Sequence, residues 1–163
     1  MNQTTQLINK MIEHEKGFPK RVNHFLKVYS FANIIAASEN LDATKKLILE
    51  TATILHDVGI KISLKKYNSS AVKYQEIEGP PIAEKMLIDL NFPKDIIDRV
   101  CFLIAHHHHY DKIDGIDYQI LIEADFLVNI FEDELKKELI LNIKNKYFRT
   151  DSGKKILDKL YLI

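Results

Sequence analysis

The chain is expected to be all-α, on three observations. Apolar residues recur at three- and four-residue spacing over most of its length, alternating strand patterns are nearly absent, and only five Gly and four Pro interrupt 163 residues. That length suits one domain with a sizeable core, burying roughly 70% of the unfolded surface. No internal repeat, low-complexity segment or linker divides residues 1–163.

The elements follow in order. Thr4 to Lys16 reads as a first helix, ended by Gly17. Pro19 fits the opening turn of a second, running to about Glu39. Asp42 is the N-cap of a third, which carries the apolar run Leu47 to Leu55 through Asp57. Gly59 to Lys73 reads as a loop holding at most a short helix. Pro80 and Pro81 open a helix that reaches Leu90, and Pro93 opens the next, which reaches a run of histidines. Asp114-Gly115 is a turn signal before an Asp117–Phe131 helix. Glu134 to Tyr161 forms one or two amphipathic helices, broken near Ser152-Gly153.

Several polar residues interrupt these apolar faces. His56-Asp57 ends the third helix, His24 shares a face with Val28, Phe31 and Ile35, and Asp125 shares one with Leu121, Ile122 and Val128. Ionisable groups turned toward a core are costly unless something satisfies them, and a buried carboxylate needs a partner. Imidazole and carboxylate together suit a divalent metal of borderline hardness, so coordination is the economical reading of three helices that each bring such a residue. The internal run His106 to His109 ends another apolar helix. Successive helical residues turn about 100°, so at least one of the four must face inward. His107 lies on the stripe of Val100 and Ile104, and His106 is next, sharing a face with Phe102 and Leu103; His108 and His109 begin the loop.

The ordered set His24, His56-Asp57 and Asp125 resembles the H…HD…D signature of the HD superfamily of metal-dependent phosphohydrolases. The flanking residues are similar too: Arg21 three before His24, the run Leu55-His56-Asp57-Val58-Gly59, and Ala124-Asp125-Phe126. The resemblance covers about residues 18–131, with further helices over 134–161. It implies a single HD-type helical bundle in which His24, His56, Asp57 and Asp125 hold a divalent metal (Fe, Mn, Co, Ni, Zn or Mg). That metal would polarise a phosphoryl oxygen and acidify a bound water, from a pKa of about 16 toward about 7. Glu78-Gly79-Pro80-Pro81-Ile82-Ala83 resembles the His-Gly-Pro-x-Gly-Ala segment of a dinuclear branch that includes bacterial diadenosine tetraphosphate hydrolases. Glu78 stands where that branch has a metal-binding His, with a later His completing its second site. The resemblance thus makes Glu78, His107 and His106 ligand candidates, with Asp57 as a bridge, and leaves one metal or two open. Many HD proteins carry a lysine four residues after the motif His. Here that position is Ile60, and Lys61 follows it. Lys61 or Lys65 would then meet a substrate phosphate, and Arg21, one turn before His24, would bind phosphate or orient a ligand carboxylate.

The implied function is hydrolysis of a nucleotide or other small phosphate ester. The alternative is a non-catalytic HD-type module in which metal binding holds helices together or senses a ligand. Lys+Arg and Asp+Glu are both 23, a neutral balance that gives no support to a nucleic-acid or membrane-surface binder. A single cysteine, Cys101, excludes an internal disulfide and suits a reducing compartment. Met1 to Lys10 lacks an apolar signal core, so a cytoplasmic protein is expected; a homodimer stays open. Glu123 and the group Asp111, Asp114 and Asp117 are placed near the mouth of the site, the aspartates as solvated turn residues whose spacing does not fit a Ca²⁺ loop.

Overall fold

The computed structural model covers residues 1–163 and contains nine helices and no strand. They are α1 (Gln3–His14), α2 (Pro19–Ser38), α3 (Ala43–Leu55), α4 (Ile60–Tyr67), α5 (Val72–Asp89), α6 (Lys94–His106), α7 (Ile116–Glu132), α8 (Lys137–Tyr147) and α9 (Asp151–Tyr161). None is long and apolar enough to cross a membrane.

Helices α3 and α7 form the centre. Ile48 to Leu55 of α3 is buried on almost every side, and so is Asp117 to Ala124 of α7. A helix that is buried all round must be surrounded by others. Helix α3 packs on α2, α6, α7 and α1, and α7 packs on α2, α3 and α9. Each fully buried Leu or Ile contributes about 1.5–3 kcal/mol of transfer free energy. The buried hydroxyls of Thr51 and Thr53 are satisfied within the helix, donating to the carbonyls of Leu47 (2.7 Å) and Glu50 (2.8 Å).

Three boundaries differ from the sequence reading. Helix α5 starts at Val72, so Pro80 and Pro81 lie inside it. Proline at N1 is the usual signal for a helix start, but here packing on α6 carries the helix through the pair. Gly79 lacks the Cβ that would collide with the following proline ring, and a Cβ there would also meet Ile104 Cγ2 at 2.9 Å. Gly59 is equally confined: a Cβ would lie 2.8 Å from the Gln75 carbonyl oxygen and 2.9 Å from Gly79 N. The Asp57–Gly59 turn therefore sits directly against α5. The short helix allowed for after Gly59 is present as α4 and fills most of the expected loop, closed by Asn68 in the left-handed conformation at φ 50°.

The tail breaks at Phe148–Thr150 rather than at Ser152-Gly153, because Thr150 caps α9. That break is organised by Glu123, which is fully buried on α7 beneath the α8–α9 connection. Two residues on a helix stand about 200° apart, so Glu123 points away from Asp125. Its carboxylate accepts from Arg149 N (2.6 Å), Thr150 N (2.9 Å), Thr150 Oγ1 (2.5 Å) and Gln119 Nε2 (2.8 Å). Asp114 and Asp117 are also structural: Arg99 donates to both, at 2.7–2.9 Å, and ties α6 to the start of α7.

Gly153 sits against this buried carboxylate. A Cβ there would overlap Glu123 Oε2 and lie 2.7 Å from Thr150 Oγ1. Helix propensity alone makes Gly153→Ala stabilising by about 1 kcal/mol. The packing predicts the opposite, a loss of about 2 kcal/mol and a Tm lower by roughly 4–8 °C. Thermal unfolding decides the sign, and a raised Tm would refute the clash.

Candidate metal centre

Three helices and the turn after one of them bring four ionisable residues together. His24 comes from the middle of α2, His56 continues the last turn of α3 in helical conformation (φ −52°, ψ −38°), Asp57 follows it, and Asp125 comes from α7. His24 Nε2 lies 3.2 Å from His56 Nε2, 3.2 Å from Asp125 Oδ1 and 3.6 Å from Asp57 Oδ2. His56 Nε2 lies 3.4 Å from Asp57 Oδ2 and 3.7 Å from Asp125 Oδ1. His56 is 1% exposed.

The other ring nitrogens fix the tautomers. His56 Nδ1 lies 2.8 Å from the Thr53 carbonyl oxygen, which can only accept, so Nδ1 carries the proton. His24 Nδ1 lies 3.0 Å from Glu132 Oε2, and Lys27 Nζ holds the other Glu132 oxygen at 2.6 Å. Burial opposes ionisation of Glu132, but Lys27 and His24 prevail and lower its pKa. Both imidazoles therefore turn Nε2 lone pairs to the same point, as metal-bound histidines do with an outer partner on the far nitrogen. Asn129 Nδ2 donates to Asp125 Oδ1 at 2.9 Å and orients that carboxylate.

A second group adjoins the first. One ligand atom each from Asp57, His107 and His108 lies within 4.8 Å of the others, just as His24, His56 and Asp57 do. His107 Nδ1 donates to the Ile104 carbonyl at 2.9 Å, which leaves Nε2 bare, 3.7 Å from Asp57 Oδ1. His107 Nε2 and His108 Nε2 are buried and have no hydrogen-bond partner. Burial, aided by His107, lowers the His108 pKa to about 4, so its ring is neutral. The turn that aims both rings is held by the Tyr118 hydroxyl, which is shared between the carbonyls of His106 and His109. Asp57 thus offers one oxygen to each group. Burial alone would raise its pKa, but the neighbouring imidazoles hold it at about 2.

This donor set fits a divalent metal. Two Nε2 atoms 3.2 Å apart need a proton or a cation between them, and two more buried imidazole nitrogens have nothing to bind.

The remaining sequence candidates lie elsewhere. Glu78 is engaged by Lys66 Nζ (2.8 and 3.0 Å) and Tyr67 Oη (2.7 Å) on α4. His106 stacks on Phe102 at 4.3 Å, with Nδ1 2.8 Å from the Phe102 carbonyl oxygen. Arg21 donates to the buried Glu15 at 2.5 Å and packs over the Phe18 ring. Lys61 donates to the His14 carbonyl, and Lys65 is exposed. Glu132 and Asn129 were not singled out in the sequence, although seven- and four-residue spacing from Asp125 places both on its face. His108 carried no such signal, because it lies where the chain leaves α6 and helical periodicity ends.

In the metal-free protein, burial works against protonating His56, but Asp57 and Asp125 outweigh it and raise its pKa to about 9. His24 is raised too, with Asp125 prevailing over burial. A bound metal must displace these protons. Its apparent affinity is therefore expected to rise about tenfold per pH unit between 7 and 9, with about one or more protons released per ion near pH 7. Calorimetry in buffers of different ionisation enthalpy measures this, and a pH-independent affinity without proton release would contradict the geometry.

Comparison with known proteins agrees with the fold. A solved structure of a predicted HD superfamily hydrolase from an uncultured Thermotogales bacterium superposes with a TM-score of 0.69 at 20% identity, covering 97% of this chain and 84% of that one. No curated protein matches the sequence. Residues 21–152 match the HD domain, a span that includes His24, His56, Asp57, His107 and Asp125. The chain belongs to the HD-domain family.

Proposed function

We propose that this protein is a metal-dependent phosphohydrolase acting on a nucleotide or other small phosphate ester. The observation that carries the reading is the pair of adjoining donor groups sharing Asp57. His24, His56, Asp57 and Asp125 would hold one divalent metal, and Asp57, His107 and His108 a second. When bound, such metals supply Lewis acidity to a phosphoryl oxygen and lower the pKa of a coordinated water.

The residues prepare that chemistry. Thr53, Ile104 and Glu132 lock three imidazoles with Nε2 inward, so no reorganisation is needed at the moment of reaction. Asp57 is ionised and sits between the groups, where its two oxygens would span both. A 360 Å³ cavity lies on the outer side of His108, bordered by His108, His109 and Tyr110, and is where a small ester would dock. Arg21 Nε donates to Glu15 and Lys61 to the His14 carbonyl, which ties α1 to the helices that carry the site, while Arg21 Nη2 is buried without a partner one turn before His24.

Asp57→Asn removes the shared anion while keeping its shape. Phosphate release from a panel of nucleotides and sugar phosphates, with Mn²⁺, Fe²⁺, Co²⁺ and Mg²⁺ in turn, is expected to fall by at least about a hundredfold. Unchanged activity at full metal content would overturn the assignment. Binding of metal without hydrolysis of any ester by the unaltered protein would favour the non-catalytic module.

A further inference from the structure

The cavity that reaches His108 has a second end. It runs between the turn after α6 and the last turn of α8, bordered by His108, Tyr110, Asp111, Lys146 and Tyr147. An adjoining 250 Å³ space shares Tyr110, Asp111, Lys146 and Tyr147. Pockets for small ligands run from roughly 300 Å³ upward, so the first cavity alone is large enough to hold part of one.

The chemistry of this end is specific. Tyr147 is half-buried and stacks on Phe126, with centroids 5.0 Å apart and planes 14° apart; Tyr110 closes the cluster at 4.8 Å from Tyr147 and 5.2 Å from Phe126. Lys146 is exposed, makes no ion pair, and sits 5.2 Å from the Tyr147 ring. Asp111 adds an acceptor for amino or hydroxyl groups. The last turn of a helix normally presents bare carbonyls and a negative dipole end, which would repel an anion. Here Arg149 donates to the carbonyls of Lys146 (2.7 Å) and Phe148 (2.9 Å) and covers them. Glu123 holds Arg149 N and Thr150 N, which fixes that end of α8 across from the histidines.

We infer that this cleft is the leaving-group subsite, and that it selects nucleotides by stacking a nucleobase on the Tyr147–Tyr110 aromatic cluster while the phosphate lies at the His108 end. Every base offers a π-face, and a rigid aromatic shelf binds it at little entropic cost. Lys146 supplies positive charge along the anionic part of the ligand. Phosphate at the histidine end rests on the phosphohydrolase reading; recognition of the base does not.

The test uses Mn²⁺-loaded protein and two non-hydrolysable probes, the phosphonate analogues of AMP and of ribose 5-phosphate, which differ only in the base. Calorimetry is expected to show the AMP analogue binding on the order of tenfold tighter. Tyr147→Ala should erase that advantage, Tyr147→Phe should keep it, and the ribose probe should bind alike to all three. Lys146→Ala, at an exposed position, should weaken both probes together. In turnover, Tyr147→Ala should raise KM for AMP about tenfold with kcat nearly unchanged, and leave ribose 5-phosphate unaffected. Equal affinity for the two probes, or a Tyr147→Ala variant that binds both as the unaltered protein does, would overturn the inference. If no ester of the panel is hydrolysed, the phosphohydrolase reading fails, while the difference between the two probes still decides the base subsite.

Discussion

His24 Nε2 and His56 Nε2 face each other at 3.2 Å inside a helical core, with the carboxylates of Asp57 and Asp125 beside them. The rest of the structure is arranged around what that contact requires. Placing imidazoles and carboxylates in a low-dielectric interior costs several kcal/mol per charge unless the charges offset one another. Part of the cost is offset by the groups themselves and part by a ring of fixed partners: Thr53 and Ile104 carbonyls, Glu132 and Asn129. These partners also decide which nitrogen of each ring is bare. A core evolved only for stability would fill this volume with apolar side chains such as the Ile48, Leu49, Ile54 and Leu55 of α3 or the Ile120, Leu121 and Ile122 of α7.

Backbone crowding sets the position of the HD turn. Gly59 admits α5 to near contact at Gln75 and Gly79, and Gly79 in turn admits Ile104. One tight stack therefore links the turn after α3, the middle of α5 and the end of α6. That stack presents Asp57 and His107 to each other across 3.7 Å. The two prolines in α5 follow from the same stack, since packing on both sides carries the helix through residues that would end it in isolation.

What was legible in the sequence was whatever depended on periodicity and residue type. His24 and Asp125 stand out because a polar group on an apolar stripe violates the pattern, and most helices follow from the spacing of their apolar residues. The resemblance carried the family. Less legible was whatever depended on tertiary partners. Glu78 matched a ligand position by the likeness of a short segment, yet Lys66 and Tyr67, on the preceding helix α4, engage it. Glu123 read as a residue of the mouth because it is close to Asp125 in sequence, although helical geometry sends it to the opposite face. The aromatic cleft joins residues 110, 126 and 147, which no local pattern connects.

The central claim is that imidazole nitrogens and carboxylates of this core ligate a divalent cation. X-ray absorption of the Co²⁺-loaded protein tests it directly, because imidazole rings give a distinctive outer-shell scattering that carboxylates and water do not. The structure predicts histidine scattering together with oxygen ligands, lost in part in His56→Ala. A shell of oxygen ligands alone, unchanged by that substitution, would contradict the account.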